Sequence, residues 1–285
     1  MEELPIDSLW VGGHVASRNP SPEAMVALAR LSAATERVII GTSVLLLPLY
    51  EPAIVAKQVA DIDRATGGRV VLGVGVGGEY PAEFRACHVP LGGRGARTDE
   101  AIDVLRKVWT GESVEHDGPI FPLRDVRVQP APVQPGGPPV VIGGRRESAM
   151  RRAAIRGDGW MPYLYSPRRY AESVATIERH ADATGRSLDG FEWYAFVFTS
   201  VHSNGGRARD AAAAVLGRTY QQDLGSRIDH LAAVGTPAEV TATLSAFVAA
   251  GVRHLIMAPV GTTPADRTSV VARLVDEVLP AIRAV

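Results

Sequence analysis

The 285-residue chain has a single cysteine, Cys87, so no internal disulfide can form and no second thiol is available to complete a zinc site. A reducing compartment suits such a chain, and the cytoplasm is the expected location. Charge of one sign is also lacking: 30 Lys and Arg against 31 Asp and Glu leave a net charge of -1, with no long run of like charge. A balanced chain has no general attraction for nucleic acid or anionic membrane, and neither is expected as a partner. No apolar stretch approaches the length of a bilayer span, and MEELPIDSLW lacks the basic stretch and apolar core of a signal peptide. The 7 histidines include no pair at metal-ligand spacing, so no metal site is expected. Lysine is confined to Lys57 and Lys107, both on expected helices, which argues against a lysine-dependent aldolase or sugar-phosphate isomerase.

What is present is enough apolar sequence, 46% of residues, to bury one large core, and the expectation is one domain over 1–285. Short Val/Ile/Leu runs alternate with stretches of helical period, the pattern of repeated βα units around a parallel sheet. Strands are expected at Ser8 to Val15, Val38 to Leu47, Val70 to Val76, Val140 to Ile142, Trp160 to Tyr163, Phe191 to Val201 and His254 to Pro259. Helices are expected between them, with Pro52 and Pro167 in first turns, Gly67-Gly68 as a stop, Thr236 as an N-cap, and a last helix at Arg267 to Ala284. The rhythm breaks over 111–139, where strand candidates flank Asp117-Gly118 and read as an inserted hairpin. Seven strands fall one short of an eight-stranded α/β barrel, which suggests that the first βα unit, on the order of 25 residues, is absent.

In a parallel barrel the βα loops at the carboxyl ends of the strands carry the chemistry. Small residues gather there: Gly12-Gly13-His14, Gly41-Thr42-Ser43-Val44, Gly75-Val76-Gly77-Gly78 and Gly143-Gly144-Arg145-Arg146. Gly143 to Ser148 reads equally as a phosphate cradle, with free helix amides and two arginines, or as a tight turn with solvated side chains. Gly75 to Gly78 lacks the dinucleotide spacing G-x-G-x-x-G, so a Rossmann site is rejected in favour of close backbone approach to a flat ring. His14, at a strand end, is the candidate proton carrier. Glu79 and Glu83 follow the glycine loop as candidate acids or bases, although Glu83 reads better as a solvated carboxylate at a helix start. Trp160, Tyr163 and Tyr165 suit either a pocket wall or plain packing.

Several segments in register resemble the luciferase-like monooxygenase family: Ile6 to Gly12, Ala34 to Val38, Gly41 to Val44, Leu72 to Gly77, Glu83-Phe84, Asp99 to Ala101, Pro139 to Gly144 and Gly157 to Trp160. The resemblance is strong from Ile6 to Pro162 and architectural beyond. It implies a TIM (β/α)8-type barrel, a homodimer, a small-molecule substrate, and either FMN or, as in the actinobacterial branch that the chain most resembles, the deazaflavin coenzyme F420. It further implies a cis peptide at Ser43-Val44 behind the ring, ring contacts from Thr42, Ser43, Val44, Gly75, Gly77 and Gly78, and phosphate contacts from Gly143, Gly144, Arg145 and Arg146. His14 and Glu79 are then the candidate catalytic residues. One departure matters: similar proteins commonly carry Asp before the histidine, whereas this chain has Gly13. The readings to be separated are therefore an F420-dependent oxidoreductase, an FMN-dependent monooxygenase using oxygen, and a cofactor-binding protein without turnover, in which Gly13→Asp would restore activity.

Overall fold

The computed structural model describes residues 3–17 and 20–284. The chain divides into two compact units, one made of residues up to Gly143 plus Arg152–Gly159, the other of Gly144–Arg151 plus the residues from Trp160 onward.

In the first unit, strands β1 (Ser8–Gly13), β2 (Ile39–Leu46) and β3 (Val70–Gly75) alternate with helices α1 (Ala24–Ala34) and α2 (Pro52–Thr66). A short helix α3 (Pro81–Ala86) and a longer one, α4 (Arg94–Val108), follow, then an antiparallel hairpin of β4 (Val114–His116) and β5 (Leu123–Val126), and β6 (Val140–Gly143). The strands β1, β2, β3 and β6 pair in that order and all in parallel. Every residue of β3 is buried, as its apolar run requires of a strand covered on both faces.

The hairpin lies where the sequence places it, and the segment that follows it is clasped to α2 by one carboxylate. Asp63, fully buried, accepts from the Val133 amide at 2.8 Å, the Gln134 amide at 3.1 Å and the Gln134 side chain at 2.6 Å. Those three donors compensate the burial of a charge that would otherwise be costly. Trp109 adds an indole N–H to the Ala56 carbonyl at 3.1 Å.

In the second unit the chain runs from the first half of α5 (Glu147–Arg156) and the end of β7 (Gly159–Met161) through α6 (Pro167–Asp182) and β8 (Glu192–Val201) to α7 (Gly205–Tyr220). The short helix α8 (Ile228–Leu231), β9 (Ala233–Gly235), α9 (Pro237–Ala249), β10 (His254–Pro259) and α10 (Pro264–Arg273) complete it, with a π-helical turn and α11 (Leu279–Arg283) at the end. β10 pairs in parallel with β8 from Tyr194–His254 to Thr199–Pro259.

One expectation is corrected here. The strand count rises by one, because β9, hidden in a polar stretch of sequence, pairs in parallel with Thr199 to Val201. The last helix runs from Pro264 to Arg283, widening over Leu274–Val278, where Pro280 has no amide to donate to the preceding turn.

Candidate active site

The carboxyl ends of the first unit's strands converge on Val44. The Ser43–Val44 peptide is cis, as the resemblance implies, and the β2–β3 register shifts between Gly41 and Leu45. Glycines surround the valine because nothing larger fits: a Cβ on Gly75 would lie 2.6 Å from a Val44 methyl, and one on Gly143 2.7 Å from the other. A Cβ on Gly73 would strike the Thr42 carbonyl oxygen. Thr42 is itself fully buried and donates its hydroxyl to the Gly73 carbonyl at 2.6 Å, so it braces β2 against β3. Ser43 and Val44 remain partly exposed on this glycine-cushioned shelf.

Gly13 is part of the same packing. A Cβ there would stand 2.7 Å from the Val44 carbonyl oxygen and 2.9 Å from the Leu45 Cα, both backbone atoms that cannot swing aside. The expectation that Asp at position 13 would restore a missing function is therefore corrected: this backbone has no room for it.

His14 follows directly and meets a carboxylate from α3. Its Nδ1 lies 3.1 Å from Glu83 Oε1 and 3.3 Å from Oε2, and Oε1 also accepts from the Val15 amide at 2.8 Å and the Ala16 amide at 3.1 Å. The glutamate side chain is fully buried, whereas the imidazole is 32% exposed. Tyr80 packs edge-on to the imidazole with centroids 5.1 Å apart. The reading of Glu83 as a solvated carboxylate is thus overturned: it does open a helix, but facing inward. The spacing held the signal, since Tyr80, Glu83 and the buried Phe84 stand at i, i+3 and i+4 and share one helical face.

Glu79 is exposed, on a bend between the glycine loop and α3. Gly77 and Gly78 form that loop, and Arg94 secures it by donating from Nε to the Gly77 carbonyl at 3.3 Å. Tyr50, in the loop after β2, donates to Glu23 at 3.1 Å. Burial, together with the nearby carboxylates of Glu23 and Glu83, pushes the Tyr50 phenol well above its ordinary range.

In the second unit, Gly144 (φ 132°), Arg145 and Arg146 lead into α5, whose Ala149 and Met150 amides donate to the Arg146 carbonyl at 2.9 and 3.2 Å. A Cβ on Gly144 would lie 2.8 Å from that of Ala149. Trp160 donates to the Gly144 carbonyl at 2.9 Å, and the Arg145 guanidinium lies 5.0 Å above the Tyr163 ring. Arg169 donates to the Arg145 carbonyl at 3.2 Å and covers Tyr165 at 4.4 Å. Arg146 is exposed. Trp160 is buried between Tyr165 and Tyr170, themselves buried, so Trp160 and Tyr165 belong to the packing, while Tyr163 is half-buried. No group of metal-binding side chains occurs among the described residues. No helix there is long and apolar enough to cross a membrane.

Solved structures define the class to which this α/β arrangement belongs. The coenzyme F420-dependent tetrahydromethanopterin reductase from Methanopyrus kandleri superposes with a TM-score of 0.82 at 19% identity, covering 99% of this chain and 92% of that one. The oxygenating constituent of 3,6-diketocamphane monooxygenase from Pseudomonas putida, solved with FMN, superposes at 0.77 with 17% identity, over 98% and 89% of the two chains. The fold is the luciferase-like TIM barrel. Residues 1–230 match the luciferase-like monooxygenase family, and the chain belongs to it. Among sequence relatives, an F420-dependent glucose-6-phosphate dehydrogenase of Microbacterium testaceum is 31% identical over 211 residues, 70% of this chain and 62% of that protein. The chain likewise spans 62% of the length of the first curated relatives it matches, mycobacterial proteins at 36% identity. The family holds both F420-dependent and FMN-binding oxidoreductases.

Proposed function

We propose that this chain is an oxidoreductase that passes a hydride between the deazaflavin coenzyme F420 and a small organic substrate. The observation that carries the reading is the placement of His14, backed by a buried carboxylate, one residue beyond a glycine that rests on the Val44 carbonyl. The residues fit a flat ring: the shelf presents a partly exposed valine flanked by glycines, and an added side chain would press on Val44 at Gly75 and Gly143 and on backbone at Gly13 and Gly73. When bound, the coenzyme supplies a ring carbon that accepts or gives the hydride.

In this reading Ser43, Val44, Gly75, Gly77 and Gly78 lie against the ring, and Thr42 supports them from behind. Gly143, Gly144, Arg145 and Arg146 receive the phosphate, where the N-terminal end of the α5 dipole favours an anion. His14 takes or returns the substrate proton, and Glu79, exposed beside the glycine loop, is the second acid–base candidate. A single domain, working as a homodimer on a small-molecule substrate, completes the proposal.

Anaerobic titration of the purified protein with each cofactor is the test. The expected result is F420 bound at least about tenfold more tightly than FMN, about 1.4 kcal/mol. Tight FMN binding without F420 binding would replace this reading with the oxygen-using monooxygenase, the alternative supported by the fold shared with the FMN-bound Pseudomonas putida enzyme.

A further inference from the structure

We infer that Glu83 is the positioning residue of this site: it fixes His14 in the tautomer protonated at Nδ1 and reserves Nε2 for proton exchange. The inference rests on the reading of His14 as the proton-handling group.

Three N–H groups converge on one fully buried carboxylate. The Val15 and Ala16 amides can only donate, which commits Oε1 to accepting, and Nδ1 stands within 3.1–3.3 Å of both oxygens. An ionised carboxylate accepts at every lone pair, so the shared hydrogen belongs on Nδ1. The two amides supply the compensation that a buried negative charge needs. Tyr80, edge-on to the imidazole, restricts rotation of the ring. The lone pair that remains is on Nε2, and a proton taken there creates an imidazolium facing the Glu83 charge. The other titratable groups around the pair are Glu79 and Tyr80 ahead of α3, Cys87 at its end, Tyr50 after β2, and Glu23, which accepts from Tyr50. Among the described residues, His14 is the side chain that pairs with Glu83.

The first arm of the test needs no coenzyme. Nitrogen-15 NMR of histidine-labelled protein, with His14 assigned by His14→Asn, should show a protonated Nδ1 and an unprotonated Nε2. Glu83→Gln, which keeps an oxygen for the two amides but puts an N–H donor in reach of Nδ1, should shift His14 toward the other tautomer. In the second arm, Glu83→Gln should lower kcat by about 10²–10⁴-fold. F420 affinity should stay unchanged within about twofold. A residue holding only the loop would leave the His14 tautomer as it is, and that result, or wild-type His14 protonated at Nε2, overturns the assignment. Should Glu83→Gln not fold, the wild-type tautomer decides alone. Failure to bind F420 would sink the proposed function and leave the tautomer measurement standing.

Discussion

The two units of this molecule are stabilised by different means. The first relies on charged groups aimed at backbone and on glycines that make room: Asp63 takes two amides, Glu83 two more, and Val140 gives its amide to Asp158 at 2.7 Å. Arg69 ties the carbonyls of Thr35 and Thr66. The second relies on rings. Trp160, Tyr165, Tyr170 and Phe247 form one aromatic series, and Phe196, Phe198, Tyr220 and Tyr163 another. Its charged groups sit at the surface, as in the capping box of α9. Directional polar bonds fix atoms to fractions of an ångström, which proton transfer demands, whereas aromatic packing tolerates change in the rings that compose it. The family segments recognisable in the sequence are correspondingly dense in the first unit.

That contrast can be broken by three measurements. The largest effect should come from the second unit: Trp160→Ala removes a fully buried indole and its bond to the Gly144 carbonyl, and chemical denaturation should record a loss of about 3–5 kcal/mol. In the first unit the smallest possible addition should be nearly as harmful. Gly73→Ala drives a methyl into the Thr42 carbonyl and should cost about 3 kcal/mol, while Gly12→Ala, which meets nothing within 4 Å, should stay within about 0.5 kcal/mol. Equal effects at the two glycines would remove the claim that clearance shapes the shelf. The smallest effect concerns the exposed caps. The Thr236 amide and hydroxyl, with Arg209, hold the Glu239 carboxyl down at about 2, below its ordinary 4.5. A carboxyl depressed in the folded state contributes stability above its ordinary value and loses it as pH falls toward the depressed one. Glu239→Gln should therefore lower Tm at pH 7, and the gap to the parent should close between about pH 4.5 and 2.

The strands of the sheet and most helices were legible because burial on both faces of a parallel sheet writes continuous apolar runs, as at Val70 to Val74, and because caps such as Thr236 announce helix starts. β9 was not legible: three residues are too few to show a period, and its partner Thr199 to Val201 is distant in sequence. The cis peptide at Ser43–Val44 was reached through family resemblance, since no local rule singles out that bond. Glu83 was misread for a related reason. Composition around it describes an ordinary acidic helix start, and the partner that turns it inward lies 69 residues earlier. Phe84 beside it, almost fully buried, was the available hint that this short helix had an inner face.

The bond from Glu83 to the amides of Val15 and Ala16 joins a loop to a helix that the chain reaches only after two βα units have been laid down. Closing so long a contour has an entropic cost that grows slowly with length, yet it must be met before His14 acquires its carboxylate. A chain in which α3 had not docked would display the histidine without its anchor.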